Sequence, residues 1–66
     1  MQITVNGKDT EAEGGTTVEG LLTQRGLARP GIAVAVNGVV VTATCWPDVA
    51  LSAGDRVEIV TARQGG

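Results

Sequence analysis

Residues 51–62 of this chain read LSAGDRVEIVTA, a turn followed at once by a strand. Gly54 and Asp55 are typical of a tight turn, because glycine adopts backbone conformations closed to other residues and aspartate bonds to nearby backbone groups. Beyond the turn, Val57 and Ile59 recur with the period of two that marks a strand with one buried face. The stretch therefore predicts the last strand of a sheet, with Val57 and Ile59 on the inner face.

Two Asn-Gly pairs upstream of this strand each follow an alternating segment. Asn-Gly between such segments is the strongest short-range signal of a β-hairpin, since both residues accept a positive φ. Asn6-Gly7 is therefore predicted to turn the first strand into a charged edge strand, and Asn37-Gly38 to join two further strands. The predicted strands are residues 1–5, 8–13, 32–36, 39–42 and 56–62.

One short helix is predicted between the hairpins. Thr16 and Glu19 have the spacing of a capping box, although Thr17 is an alternative cap. Gly26 followed by Leu27 is typical of a left-handed helix end. The helix of about ten residues has one apolar stripe, which consists of Val18, Leu21 and Leu22. This stripe must pack on another surface of the protein.

The segment 43–50 has no sustained period and is predicted to be a loop with one helical turn. Trp46, the single aromatic residue of the chain, is expected to cover one end of the core. Cys45 could hold a persulfide or a thioester, but a lone cysteine is more often a small packing residue, and we assign it no role.

Length and composition exclude several classes of function. A chain of 66 residues builds one domain, too small for a deep internal site. With one cysteine and no histidine, it lacks an internal disulfide, the usual zinc ligands and a catalytic Ser-His-Asp or Cys-His arrangement. Any chemistry is then either borrowed from a partner enzyme or carried out on the chain itself.

Charge and hydropathy indicate which binding partners and which location to expect for the protein. The net charge is -2 and the five basic residues are scattered, so no nucleic-acid footprint is expected. No apolar run has the roughly 18 to 20 residues of a membrane span, and no signal segment opens the chain, so we expect a cytoplasmic monomer.

The order of strands and helix predicts an α+β fold of the ubiquitin-like β-grasp type, with a mixed sheet of four to five strands and one helix packed on one face. We expect residues 1–62 to form this domain. Residues 63–66 carry no apolar anchor, and we expect a mobile extended tail on the order of 13 Å long.

The chain resembles a known family. The pattern Leu51-x-x-Gly54-Asp55-x-Val57, a strand and a terminal Gly65-Gly66 together resemble the ubiquitin-like sulfur carriers. Within that group, the length, the strand and turn at 34–38 and the Gln64-Gly65-Gly66 ending are most similar to the ThiS family of thiamine biosynthesis, and less so to the longer small subunits of molybdopterin synthase.

The resemblance implies a carrier that partner enzymes act on, with no catalytic residue, bound cofactor or metal of its own. Gly66 would be adenylated by an ATP-dependent activating enzyme and converted to a thiocarboxylate that donates sulfur to thiazole synthase. Gly65 and Gln64 would thread a narrow channel, and the two terminal glycines favour this because they lack a Cβ atom. A cysteine desulfurase or rhodanese-type sulfur donor would be the third partner.

An outward sheet face is the candidate docking surface. If the last strand pairs with 32–36, Val60 and Ala62 lie beside Ala33 and Ala35, uncovered by the helix and leading to Arg63. The alternative is that small exposed apolar residues have no function.

The sequence is also compatible with other functions. One is a carrier for molybdopterin synthesis or tRNA thiolation, or a protein-conjugating modifier. Another is a β-grasp binding module that resembles the TGS domain. ATP-dependent modification of the C-terminus would separate a carrier from a binding module.

Overall fold

The computed structural model describes residues 1–61, which form a five-stranded mixed sheet with one α-helix packed on one face. The strands lie in the spatial order β2-β1-β5-β3-β4, so the last strand occupies the centre. This arrangement confirms the predicted β-grasp fold. The elements are β1 (Gln2–Val5), β2 (Lys8–Glu11), α1 (Val18–Gln24), β3 (Ile32–Val36), β4 (Val39–Val41), a 3-10 helix (Ala43–Asp48) and β5 (Arg56–Thr61).

The sheet is two hairpins joined through β5. Strands β1 and β5 run parallel, with Val5 beside Val57, and the other three pairings are antiparallel. Parallel neighbours need a crossover connection, and here the helix and the second hairpin provide it. The central strand therefore has a partner on each side, and it carries the last of the described residues.

Both hairpin turns have the conformation that the sequence predicts. Asn6 and Asn37 each have φ of 52°, and the glycines that follow them have φ of 82° and 83°. Two successive residues with positive φ define a type I′ turn, whose twist matches that of the flanking strands. The Asn-Gly pairs therefore set the register of both hairpins.

The helix begins differently from the predicted capping box. Thr17 is the N-cap, and its Oγ1 accepts a hydrogen bond of 3.0 Å from the backbone N–H of Gly20. Thr16 instead donates its hydroxyl to the carbonyl of Glu13 at 2.7 Å. The third helical position is therefore Gly20, which has no side chain to complete a capping box, so the prediction for Thr16 and Glu19 is wrong and the alternative cap is confirmed.

The helix ends as predicted, but it is seven residues long instead of about ten. Gly26 has φ of 72° and donates its N–H to the carbonyl of Thr23, while Leu27 donates to Leu22 at 2.8 Å. This pair of bonds satisfies carbonyls that the end of the helix would leave free.

The core lies between α1 and the inner face of the sheet. Trp46 is 6% exposed and donates its indole N–H to the carbonyl of Val41 at 3.0 Å, so it covers one end of the core as predicted. The segment around it is a 3-10 helix, consistent with the predicted helical turn. The buried apolar residues are Ile3, Val5, Ala12, Val18, Leu21, Leu22, Val34, Trp46, Leu51 and Val57.

Candidate functional site

The sheet face opposite α1 carries an exposed apolar patch. Ala33 lies directly opposite Val60 across the β3–β5 pair, and Ala35 lies opposite Val40 on β4. Val40 and Val60 are 72% and 60% exposed, and large apolar side chains exposed together on one face are informative where they form a patch. We call Ala33, Ala35, Val40 and Val60 the outward patch, and together with Glu58 they line one shallow depression.

The outward patch agrees in part with the prediction. Val60 and Ala33 are brought together as expected, but the residue of β5 directly opposite Ala35 is Glu58. The predicted docking surface did not include Val40. Alternation along the three valines of β4 places Val40 on the same face as Ala35, and this signal is present in the sequence. The patch is therefore apolar with one carboxylate at its side.

The other half of the outward face is polar. On β1, the buried Ile3 and Val5 leave Gln2 and Thr4 pointing outward. Across the edge hairpin, Thr4 lies opposite Asp9 and Gln2 opposite Glu11. The outward patch is thus confined to the side of the sheet formed by β3, β4 and β5.

The residues predicted to carry the chemistry follow β5. Thr61 is the last described residue, and it pairs with Ile32 at the start of β3. Ala62, Arg63, Gln64, Gly65 and Gly66 lie outside the described residues. The last described residue of the central strand therefore lies next to Val60 of the outward patch.

Asn6 and Asn37 hold β5 from its two sides. The Oδ1 atom of Asn6 accepts a hydrogen bond from the backbone N–H of Ile59 at 2.8 Å, and its Nδ2 donates to the Ile59 carbonyl at 3.2 Å. The Oδ1 atom of Asn37 accepts from the backbone N–H of Arg56 at 2.9 Å. The sequence predicts only the turn roles of both asparagines, because no local pattern reveals the bonds of Asn6 across 53 positions or those of Asn37 across 18 and 19 positions.

The turn before β5 has a structural aspartate. The two carboxylate oxygens of Asp55 accept from the backbone N–H of Ser52 at 2.8 Å and from the side-chain amide of Asn37 at 3.0 Å. Asp55 therefore fixes the turn, as the sequence indicated, and joins it to the neighbouring hairpin.

Cys45 is exposed and free, so the expectation that it is a packing residue is wrong. It lies in the first turn of the 3-10 helix, where the helix leaves its side chain outside the core. The hydroxyl of Thr42 donates a hydrogen bond to its sulfur at 3.5 Å. Within residues 1–61, no group of three or more His, Cys, Asp or Glu side chains could hold a metal ion.

No helix in the described part of the chain is long and apolar enough to cross a membrane.

Comparison with known proteins identifies close structural relatives. The crystal structure of a thiamine biosynthesis protein, ThiS, from Geobacter metallireducens superposes with a TM-score of 0.82 at 30% identity, covering 100% of each chain. A solution structure of a thiamine biosynthesis protein from the same organism gives a TM-score of 0.79 at 30% identity, covering 100% of this chain and 88% of that one. These matches support the β-grasp topology.

A sequence relative is a thiazole synthase from Magnetococcus marinus, which is 41% identical over 66 residues. The match covers 100% of this chain but only 20% of that protein, so the chain spans about a fifth of the length of this curated relative. The model of the ThiS family matches residues 3–66. The chain belongs to the ThiS family.

Proposed function

We propose that this protein is a sulfur carrier of thiamine biosynthesis, and that the C-terminal carboxylate of Gly66 is its reacting group. The observation that carries the proposal is the family match, which runs from residue 3 through Gly65 and Gly66 to the end of the chain. The fold is a small β-grasp domain whose central strand leads into that ending. The domain supplies recognition, and the terminal residues carry the sulfur.

The chemistry suits a C-terminal glycine. A carboxylate is a poor electrophile, so an activating enzyme must first transfer AMP from ATP to it and release pyrophosphate. A hydrosulfide equivalent then displaces AMP from the acyl-adenylate and leaves Gly66 as a thiocarboxylate. ATP is therefore a substrate of the partner enzyme, while this protein is a co-substrate and not a catalyst.

Thiazole synthase is the proposed acceptor of the sulfur. The relative from Magnetococcus marinus is a thiazole synthase and includes a segment 41% identical to this whole chain. A carrier domain within the same polypeptide as its acceptor is held at high effective concentration beside it. This chain is proposed to pass its sulfur to a thiazole synthase, with a cysteine desulfurase or rhodanese-type enzyme supplying the sulfur.

The outward patch is the proposed docking surface for the activating enzyme. It is apolar, lies beside the end of β5 and includes two large apolar side chains that are more than half exposed. Desolvating such side chains at the centre of an interface supplies binding energy that a polar surface does not. Ala62 and Arg63 are proposed to extend this surface toward the reacting end.

The test is a reconstitution with purified components. The protein is incubated with the adenylating enzyme, ATP and sulfide, and intact-mass analysis monitors the replacement of one oxygen atom by sulfur. A variant that lacks Gly66 is the control. Replacement in the unmodified protein, followed by sulfur transfer to thiazole synthase, supports the proposal.

Absence of that replacement would refute the carrier function. Sulfur transfer to molybdopterin synthase in place of thiazole synthase would assign the protein to a different pathway.

A further inference from the structure

The two edges of the sheet differ in charge. Strand β2 forms one edge and carries Lys8, Asp9 and Glu11, whereas β4 forms the other edge and consists of three valines. Charged side chains on an edge strand discourage pairing with another chain. Between Asn37 and Pro47 the chain has no charged residue. The β4 edge therefore lacks the protection that the β2 edge has.

The backbone of Val40 faces the open side of β4. The residues that flank a two-residue turn exchange the closing hydrogen bonds of a hairpin, and bonded and non-bonded pairs alternate from there. Val36 and Val39 flank the Asn37-Gly38 turn, so the next pair, which includes Val40, is a non-bonded one. The N–H and carbonyl of Val40 therefore point away from β3. Within residues 1–61, β4 has no second neighbouring strand, and neither group has a backbone partner outside the sheet.

The valine side chains are open on both faces of β4. Val40 lies on the outward face, and Val39 is 67% exposed on the opposite face, so α1 does not cover this end of the sheet. On that side Val39 and Val41 line a shallow depression together with Val36 and Val49. A strand added at this edge would therefore bury apolar surface on both faces.

We propose that β4 pairs antiparallel with β4 of a second copy of this chain, in a register centred on Val40. Val40 then lies opposite its counterpart, and the two residues exchange N–H to carbonyl hydrogen bonds. Val39 of each copy lies opposite Val41 of the other. Every cross-strand pair is valine with valine, so both faces of the contact are apolar and no charge loses its water.

Charge selects this occupant over the other strand edge of a second copy. Pairing of β4 with β2 would bring Lys8, Asp9 and Glu11 beside the valines, where they lose water without gaining a partner of opposite charge. That head-to-tail contact would also leave an open edge for further copies, whereas pairing of β4 with itself closes at two. The charged β2 strands then form both outer edges of the dimer.

The dimer is compatible with the proposed docking surface. Antiparallel pairing keeps equivalent faces of the two sheets on the same side, so the two outward patches meet at Val40 and form one apolar surface that stays accessible. A strand of three residues makes a small contact, and small interfaces are weak and transient. The monomer expected from the sequence therefore predominates in dilute solution.

The first experiment measures mass against concentration. Sedimentation equilibrium is run with a reductant, which prevents the free thiol of Cys45 from linking two chains. For the unmodified protein, we expect the mass to rise from that of one chain toward that of two between about 10 µM and 1 mM. In the same range, hydrogen exchange at the Val40 N–H should slow, because pairing gives this group an acceptor.

The second experiment compares Val40→Lys with Val60→Lys. Both valines are exposed on the outward face, so each variant is expected to fold, and thermal melting checks this. Val40→Lys places two ammonium groups directly opposite each other, and we expect the dimer to weaken by about tenfold or more. Val60→Lys adds the same charge to the same face on β5, which β3 separates from the edge. Its dimerisation should stay within about twofold of the unmodified protein.

Three results would overturn the proposal. A single-chain mass of the unmodified protein up to about 1 mM would exclude the dimer at any useful strength. Equal weakening in both variants would assign self-association to the outward patch, and no weakening in either would assign it to another surface, such as the β2 edge. Exchange at Val40 that does not depend on concentration would contradict the pairing without the use of any variant, so the proposal is tested even if Val40→Lys does not fold.

Discussion

Ala33 and Val60 lie directly opposite each other on the sheet face that α1 leaves uncovered. In an antiparallel pair, side chains in this relation lie close enough to form one continuous surface. Val60 keeps 60% of its surface exposed, so this contact does not bury it. The pair therefore belongs to an apolar surface that is exposed to solvent in the free domain.

Val60→Arg is expected to weaken docking to the activating enzyme without unfolding the domain. A guanidinium at this exposed position stays hydrated in the free protein, whereas in the complex it loses water or blocks close approach. Loss of a central apolar contact costs about 1 to 2 kcal/mol in binding, so adenylation at subsaturating carrier should slow about tenfold. The rate of pyrophosphate release measures this effect.

Val39→Arg is the matched control for this prediction. Val39 is 67% exposed, but neighbouring residues of a strand point to opposite faces, so it lies on the face away from Val40. The same substitution there should leave adenylation unchanged. Equal adenylation rates for the two variants would exclude the outward patch as the docking surface, and a collapse of thermal melting in Val60→Arg would contradict its placement.

Deletion of Gly66, or addition of one bulky residue after it, is expected to abolish thiocarboxylate formation. The proposed reaction requires a glycine carboxylate at the end of the chain, and the buried core residues within the described range lie between Ile3 and Val57. Thermal melting should therefore match that of the unmodified protein. Detection of sulfur incorporation in either variant by intact-mass analysis would argue against the carrier function.

Cys45→Ser is expected to retain thiocarboxylate formation at an unchanged rate. The proposed reactive sulfur resides on Gly66, and the Cys45 side chain is exposed at the surface. Serine differs little in size, and surface substitutions usually change stability by less than about 0.5 kcal/mol. Loss of sulfur transfer in the folded variant would show that the thiol takes part.

The topology could be predicted from the sequence because its signals are local. Asn6-Gly7 and Asn37-Gly38 both specify a turn with two positive φ values, and the structure has both. The buried Val57 likewise follows from alternation along β5. Such signals involve residues close in sequence, where backbone geometry leaves few choices.

The features that were missed depend on contacts between distant segments. Two adjacent threonines can each cap a helix, so the sequence alone does not decide where α1 begins. The position of the cap depends on backbone hydrogen bonds between the start of the helix and residues 49–51. Here Val18 donates to the Val49 carbonyl and Leu51 to the Thr16 carbonyl, which places Thr17 at the cap. The bonds from Asn6 to Ile59 are of the same long-range kind, and alternation within one segment does not reveal them.

The choice of cap leads to a stability prediction. Thr17→Ala removes the acceptor for the backbone N–H of Gly20, a hydrogen bond that is partly buried. Loss of an N-cap side chain costs about 1 kcal/mol. In a domain of this size, that loss lowers Tm by roughly 4 to 8 °C. Thermal and urea unfolding measure the change.

Thr16→Ala is the control, because it removes the hydroxyl that the capping-box interpretation would have made the cap. The hydroxyl of Thr16 donates to the Glu13 carbonyl in an exposed bond of 2.7 Å, and solvent replaces such a bond readily. Its loss is expected to cost less than about 0.5 kcal/mol. An N-cap side chain satisfies a backbone N–H that the helix itself leaves free, so its loss should cost more than the loss of the neighbouring threonine. A larger loss of stability in Thr17→Ala than in Thr16→Ala therefore identifies Thr17 as the N-cap. A larger loss in Thr16→Ala would instead support the capping box.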